Sequence, residues 1–148
     1  SYRFLFSFLL LSFSFLMFAQ KNNFNYATYQ KGENILPYRI LLPKDYDKNK
    51  EYPLLVFLHG SGERGEDNEL QLTHGSKQYL EDSFQQNYPA IIIFPQCPKE
   101  KYWATVSSRE GPLKFYYPKK PKDNPVLDLV EGMLEEIRRK YFIDKKLY

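Results

Sequence analysis

Two short apolar runs without alternation, Leu54-Leu55-Val56-Phe57-Leu58 and Ala90-Ile91-Ile92-Ile93-Phe94, stand out from the polar chain around them. Apolar residues at successive positions of a strand cover both of its faces, so both runs are predicted as central strands of a parallel sheet. Ile35 to Leu42 alternates instead, with Tyr38, Ile40 and Leu42 set against Arg39 and Leu41, which predicts a strand with two distinct faces. Pro37 places that strand near a sheet edge, where a missing N–H does least harm. Ser61 to Pro89 has room for a crossover helix, with Tyr79, Leu80 and Phe84 as a weak helical stripe. The clearest helix is Pro125 to Tyr141. Asp123 or Asn124 can cap it, Pro125 suits its first turn, and Val126, Leu129, Val130, Met133, Leu134, Ile137 and Tyr141 form one apolar face. Asn22 to Glu33 reads as an irregular lead-in. Pro98 to Asn124 shows no period and is expected to be a binding loop or a disordered stretch. The order strand, strand, helix, strand, helix predicts an α/β layered fold.

The first residues follow another pattern. Phe4 to Phe18 is apolar apart from Ser7, Ser12 and Ser14, with Arg3 before it and Ala19-Gln20-Lys21 after it. A basic start, a short apolar core and a small residue at the cut make a secretory signal. The run is shorter than the roughly 20 residues of a membrane span, which disfavours the alternative of an uncleaved anchor. The expected organisation is therefore a signal peptide over 1–19, an irregular lead-in over 20–34 and one domain over 35–148. The mature protein is expected to be secreted or periplasmic, and to meet a membrane only during export.

Composition narrows the chemistry. At 148 residues the chain fits one domain, and a formal charge of +3 without a clustered basic stripe gives no ground for nucleic-acid binding. Cys97 is the only cysteine, so in an exported protein it is either a free thiol or half of a bridge whose partner lies outside these residues. His59, His74 and Cys97 lack the spacing of metal ligands, so neither a metal nor a cofactor is expected.

The sharpest feature is His59-Gly60-Ser61-Gly62-Glu63-Arg64-Gly65, directly after the run Leu54–Leu58. Glycines around a small residue let the backbone turn and aim its N–H groups at a ligand. Donors fixed in that way can hold the negative oxygen formed when an ester carbonyl is attacked. The glycines also spell G-x-G-x-x-G, a dinucleotide-binding fingerprint. Against that reading, Glu63, Glu66, Asp67 and Glu69 would crowd a pyrophosphate, and Phe94-Pro95-Gln96 lacks the acidic residue for a ribose.

Leu36-Pro37-Tyr38-Arg39, Tyr52-Pro53-Leu54 through His59-Gly60, Gly62-Glu63-Arg64-Gly65, and Pro95-Gln96-Cys97-Pro98 with Trp103 together resemble the phospholipase/carboxylesterase and feruloyl-esterase-like branch of the α/β-hydrolases. The resemblance covers about Ile35 to Tyr148. It implies the N-terminal portion of an α/β-hydrolase fold, with a mostly parallel central sheet flanked by helices. It also implies an exported serine hydrolase acting on carboxylic esters, such as acyl or feruloyl esters of polysaccharide. The backbone N–H of Ser61 would then be an oxyanion donor, with Gly60 and Gly62 shaping the loop and His59 anchoring it. Gln96 and Trp103 would lie on the substrate side. In this fold the catalytic His follows the Ser and the acid late in the chain, so neither His59 nor His74 fits the base, and His74 reads as a surface-loop residue. No Gly-x-Ser-x-Gly elbow occurs, so the sequence is expected to stop before the nucleophile and to be inactive alone. The alternative is a non-catalytic, carbohydrate-binding or degenerate module. In that case Tyr102, Trp103, Phe115, Tyr116 and Tyr117, with Lys114, Lys119, Lys120 and Lys122, would form the binding surface. The competing expectation for these residues is that some aromatics pack on the core while the lysines stay solvated.

Overall fold

The computed structural model describes residues 23–120 and 123–146; the predicted signal peptide lies outside the described residues. Strands β1 (Asn25–Lys31), β2 (Asn34–Leu41), β3 (Leu54–Val56) and β4 (Ile91–Pro95) form one sheet in the order β1-β2-β4-β3. Helix α1 (Asp82–Asn87) precedes β4. A small hairpin of β5 (Ser108–Glu110) and β6 (Lys114–Tyr116) follows it, and helix α2 (Pro125–Lys140) comes last.

The expected mostly parallel sheet is corrected. β1 pairs antiparallel with β2, β2 antiparallel with β4, and only β3 and β4 run parallel. The tight β1–β2 turn can join only an antiparallel pair, whereas the long β3-to-β4 link supplies the crossover that a parallel pair needs. β1 and β2 are joined by the two residues Gly32-Glu33 beyond the pair Lys31↔Asn34, with Gly32 at φ +62°. That left-handed geometry suits glycine. The predicted irregular lead-in is therefore a seven-residue edge strand.

Pro37 does not mark an edge strand, because β2 lies between β1 and β4. Its carbonyl accepts the Gln96 N–H just past the end of β4, at 2.9 Å. N–H and C=O of one strand residue point the same way, so the missing N–H costs the ladder one bond, opposite Gln96 at the very end of the pairing. β4 is central as predicted and buried on both faces. β3 is not: it borders the sheet among the described strands, its residues are only half-buried, and Leu58 beyond it is 43% exposed. On its outer side Tyr52 makes one parallel bridge to Ile143.

Two cores result. Leu36, Tyr38 and Ile40 of β2 and Ile91 and Ile93 of β4 face Leu129, Val130, Met133 and Ile137 of α2. Leu41, Ile92 and Phe94 face the other way, toward Phe24 and Tyr79. α2 matches its predicted span closely, and the Asn124 side chain caps it by accepting from the Val126 and Leu127 N–H groups at 3.0 and 3.3 Å. The crossover predicted as one helix is three 3₁₀ turns and the short α1.

Gly132 sits inside α2 against the Tyr29 ring, and an added Cβ would overlap that ring and its hydroxyl. Gly→Ala in a helix normally stabilises by about 0.8–1 kcal/mol. Here the rigid ring must swing away as a whole, and overpacking of this kind costs about 1–3 kcal/mol. Gly132→Ala is expected to destabilise the parent protein but to stabilise a Tyr29→Ser background. Denaturant titration of the four proteins checks the sign, and stabilisation in the parent would refute the close approach.

Candidate active site

The chain leaves β3, extends the ladder by one bond (Phe57 N–H to Ile93 O, 2.9 Å) and reaches His59, which is 5% exposed. Its Nε2 accepts the Cys97 N–H at 2.9 Å, and its Nδ1 lies 2.7 Å from Gly60 O. A neutral ring protonated at Nδ1 satisfies both contacts at once, as donor to Gly60 and acceptor from Cys97. Trp103 stands edge-on to that ring at 5.2 Å, and its Nε1–H donates to His59 O at 3.0 Å. His59 thus ties the ends of β3 and β4 together.

Gly60, extended at φ −76° and ψ 179°, leads into a 3₁₀ turn over Ser61–Glu63. The first N–H of such a turn has no partner within it. Gly60, Ser61 and Gly62 are exposed, and Ser61 Oγ makes no hydrogen bond among the described residues. The turn is held from several sides. Arg64 donates from Nε to Ser61 O (2.8 Å) and from a terminal nitrogen to Lys101 O (3.1 Å), while the Gly65 N–H donates to Cys97 O (3.0 Å). No long helix opens from these glycines, since the next α-helix begins at Asp82; the dinucleotide fingerprint requires one.

The substrate-side expectation for Gln96 is corrected. Its side chain is fully buried, with Oε1 accepting the Asn68 N–H (2.7 Å) and Nε2 donating to Asp67 Oδ1 (2.7 Å) and Glu63 O (3.3 Å). An amide engaged in that way braces the loop and offers nothing to a substrate. Asp67 also accepts the Glu69 N–H, and these bonds, that of Glu69 first, hold its carboxyl below the usual carboxylate range. Asn68 has φ +54°, and its side chain bonds to Ala27 O, Tyr38 O and Gln71.

Trp103 does border open space. With Gly60, Ser61, Arg64, Phe115 and Tyr117 it lines a cavity of about 180 Å³. Cys97 lines the same cavity as a free, buried thiol that burial pushes up to about 11, so it is neutral and unreactive near pH 7. His74 lies apart with a 75% exposed side chain, 3.5 Å from the Glu63 carboxylate. The stretch expected to be a loop or disordered carries the β5–β6 hairpin, whose Phe115 packs on Tyr102 at 5.6 Å while Tyr117 stays 61% exposed. Sequence reasoning missed Arg64, Asp67 and Asn68 as parts of the site. An Asx pair following the glycine loop was the available signal, because such residues bond to nearby backbone and tolerate left-handed geometry.

Burial lowers the pKa of His59 from its ordinary 6.5, outweighing the Gly60 bond and the charge of Glu63, which raise it. Only the neutral ring can accept from Cys97, so the unfolded chain binds this proton more readily. The stability it contributes is full above about pH 6.5, the ordinary imidazole value, and is lost as pH falls below it toward the depressed folded-state value. Thermal unfolding followed against pH should show this loss in the parent protein and lack that component in His59→Gln, whose amide oxygen can still accept from Cys97. Identical pH profiles would refute the assignment.

No family model and no curated protein matches the chain. Among solved structures it is similar to a thermostable esterase at 35% identity and a TM-score of 0.65, covering 82% of this chain and 32% of that one. It is also similar to a CE1 ferulic acid esterase from the anaerobic fungus Anaeromyces mucronatus. Without substrate, that structure matches at 20% identity and a TM-score of 0.53, covering 83% of this chain and 45% of that one. In complex with ferulic acid it matches at 20% identity and a TM-score of 0.51, covering 83% and 44%. The fungal likeness is one of fold. The chain spans about a third of the length of the thermostable esterase. Over most of its described length, then, it is built like part of an α/β-hydrolase esterase.

Proposed function

We propose that the chain is the part of an exported carboxylic ester hydrolase that supplies half of its oxyanion hole. The observation that carries this reading is the 35% identity to a thermostable esterase over 82% of the chain. The loop agrees with it: the exposed Ser61 opens a turn beside a cavity, on a backbone fixed by His59, Arg64 and Gln96.

When a serine oxygen attacks an ester carbonyl, negative charge develops on the carbonyl oxygen, and a preorganised N–H lowers that barrier without reorienting. Ser61 is assigned that donor role through its backbone, with Gly60 and Gly62 giving the turn its shape and Trp103 bordering the substrate. The nucleophile, acid and base are assigned to residues outside these 148, because His59 is committed to the loop and His74 lies exposed at the surface. Residues 1–19 are assigned to export, which places the enzyme outside the cytoplasm. The substrate is a carboxylic ester, with acyl or feruloyl esters of polysaccharide as the class tested first.

The test is turnover of 4-nitrophenyl acetate and of a feruloylated polysaccharide by the natural protein, together with labelling by a fluorophosphonate. Labelling at a serine outside residues 1–148 that abolishes turnover supports the reading. Labelling at Ser61, or no turnover by a folded protein, overturns it. The exposed Tyr116 and Tyr117 favour one second reading, a non-catalytic carbohydrate-binding module, which would bind polysaccharide without turnover.

A further inference from the structure

The cavity beside Ser61 has a charge character that ester cleavage by itself does not require. Arg64 lines it, and Arg109 packs on two of its lining residues, Tyr102 and Phe115. Arg64 bonds to the carbonyl oxygens of Ser61 and Lys101 and lies 4.4 Å over the Tyr102 ring. Arg109 donates to the carbonyl oxygens of Gly111 (2.8 Å) and Pro112 (2.9 Å), reaches the Tyr102 hydroxyl (3.4 Å) and lies 5.2 Å from the Phe115 ring centre. All of these partners are neutral, so neither positive charge is matched by a carboxylate among the described residues.

Nearby carboxylates are engaged elsewhere. Glu63 meets His74, Asp67 takes the Gln96 amide, and Glu110 accepts from Lys114 Nζ (2.6 Å) and from the Tyr116 hydroxyl (2.8 Å). Tyr102 registers the resulting field: the hydrogen bond from Arg109, then that from Arg64, holds its phenol below the ordinary range. Along residues 99–120, Lys99, Lys101, Arg109, Lys114, Lys119 and Lys120 stand against only Glu100 and Glu110, while the whole chain carries +3. A guanidinium has five N–H donors in a planar fork suited to a carboxylate, and both arginines keep donors beyond the bonds named above. Tyr117 lines the cavity and is 61% exposed, a flat apolar face of the kind that can stack on a sugar ring.

We propose that this cavity and its hairpin bind the carboxylate of a uronic acid, so that the ester is presented on an acidic polysaccharide. The proposal deepens the esterase reading and rests on its placement of the cavity on the substrate side. Its test reads binding rather than turnover. A failure of the esterase reading would leave binding intact without turnover, and a failure of this proposal would leave turnover without acidic preference.

The natural protein is titrated by calorimetry with trigalacturonate and with xylotriose, a neutral probe of the same length. Trigalacturonate is expected to bind about tenfold or more tightly at low salt, with the advantage shrinking at about 0.5 M NaCl as exposed charges are screened. Arg109→Gln is expected to remove most of the preference. Because Arg109 also secures the hairpin turn, the exposed pair Lys119→Glu/Lys120→Glu serves as a second variant and is expected to weaken acidic binding about fivefold or more. Lys145→Glu/Lys146→Glu, beyond α2, should change it little. Equal affinity for the two trisaccharides, or equal losses in the two lysine pairs, would overturn the proposal.

Discussion

Ser61→Pro is expected to lower ester turnover of the natural protein by about 100–1,000-fold, the usual cost of losing one oxyanion donor, while Ser61→Ala keeps most of it. The comparison is sharp because the backbone already suits proline. Gly60 is extended at φ −76° and ψ 179°, the region preferred by a residue that precedes proline. Ser61 is the first residue of the turn, where a missing N–H breaks no bond within it and the fixed φ of proline fits. Ser61 Oγ makes no hydrogen bond among the described residues, so alanine removes nothing that holds the loop. Both variants should unfold at nearly the parent temperature, and the loss in the proline variant should fall on kcat more than on KM, because the donor acts on charge formed in the transition state. Steady-state kinetics on an activated ester and on a polysaccharide ester would measure this. An alanine variant as inactive as the proline variant would move the role to the hydroxyl, and full activity in both would remove Ser61 from the site.

Parts of the architecture were legible because burial there is one-sided or complete. α2 carries an apolar stripe at helical spacing behind an Asn cap and a proline, and the stripe lies on the sheet. The alternation in β2 assigned its two faces correctly, and the unbroken apolar run of β4 gave its central place. β1 was not legible, since an edge strand needs little apolar surface: Asn25-Tyr26-Ala27-Thr28-Tyr29-Gln30-Lys31 buries none of its residues fully and is held by its pairing with β2. β3 misled in the opposite sense, because its apolar residues are only half-buried beside a single bridge to Ile143. At the site, the glycine loop announced a backbone turn, whereas nothing local distinguished a buried Gln96 from one facing a substrate. That difference depends on Asp67 and Asn68 arriving from nearly thirty residues away in the chain.

Asn68 is where the largest loss of stability is expected. Its N–H donates to Gln96 Oε1 (2.7 Å) and its carbonyl accepts from Arg39 (3.1 Å). Its side-chain amide donates to Tyr38 O (3.2 Å) and Ala27 O (3.3 Å), and its Oδ1 accepts from Gln71 Nε2 (2.5 Å). One residue thus joins β1, β2, the end of β4 and the turn that carries Gln71, at φ +54°, where asparagine is tolerated and alanine is strained. Asn68→Ala is expected to cost about 2–5 kcal/mol, since three groups lose partners in a buried setting at about 1 kcal/mol or more each. Asn68→Gly loses the same side-chain bonds but accepts the positive φ without strain, so it should be less damaging by about 1 kcal/mol. Asn68→Asp sets a carboxylate against two carbonyl oxygens, which disfavours its charged form. Its pKa should be raised in the folded state, so this variant should regain stability as pH falls through that raised value, the reverse of an ordinary ion-paired aspartate. Loosening Asn68 also frees Gln96, which holds Glu63 O two residues after Ser61. Ester turnover should therefore fall in Asn68→Gly even at temperatures where the variant stays folded. Denaturant unfolding of the three variants at two pH values, with turnover measured on the folded glycine variant, tests the whole chain of reasoning. An alanine variant within about 0.5 kcal/mol of the parent, the range of an ordinary surface substitution, would show that the hub carries no such weight.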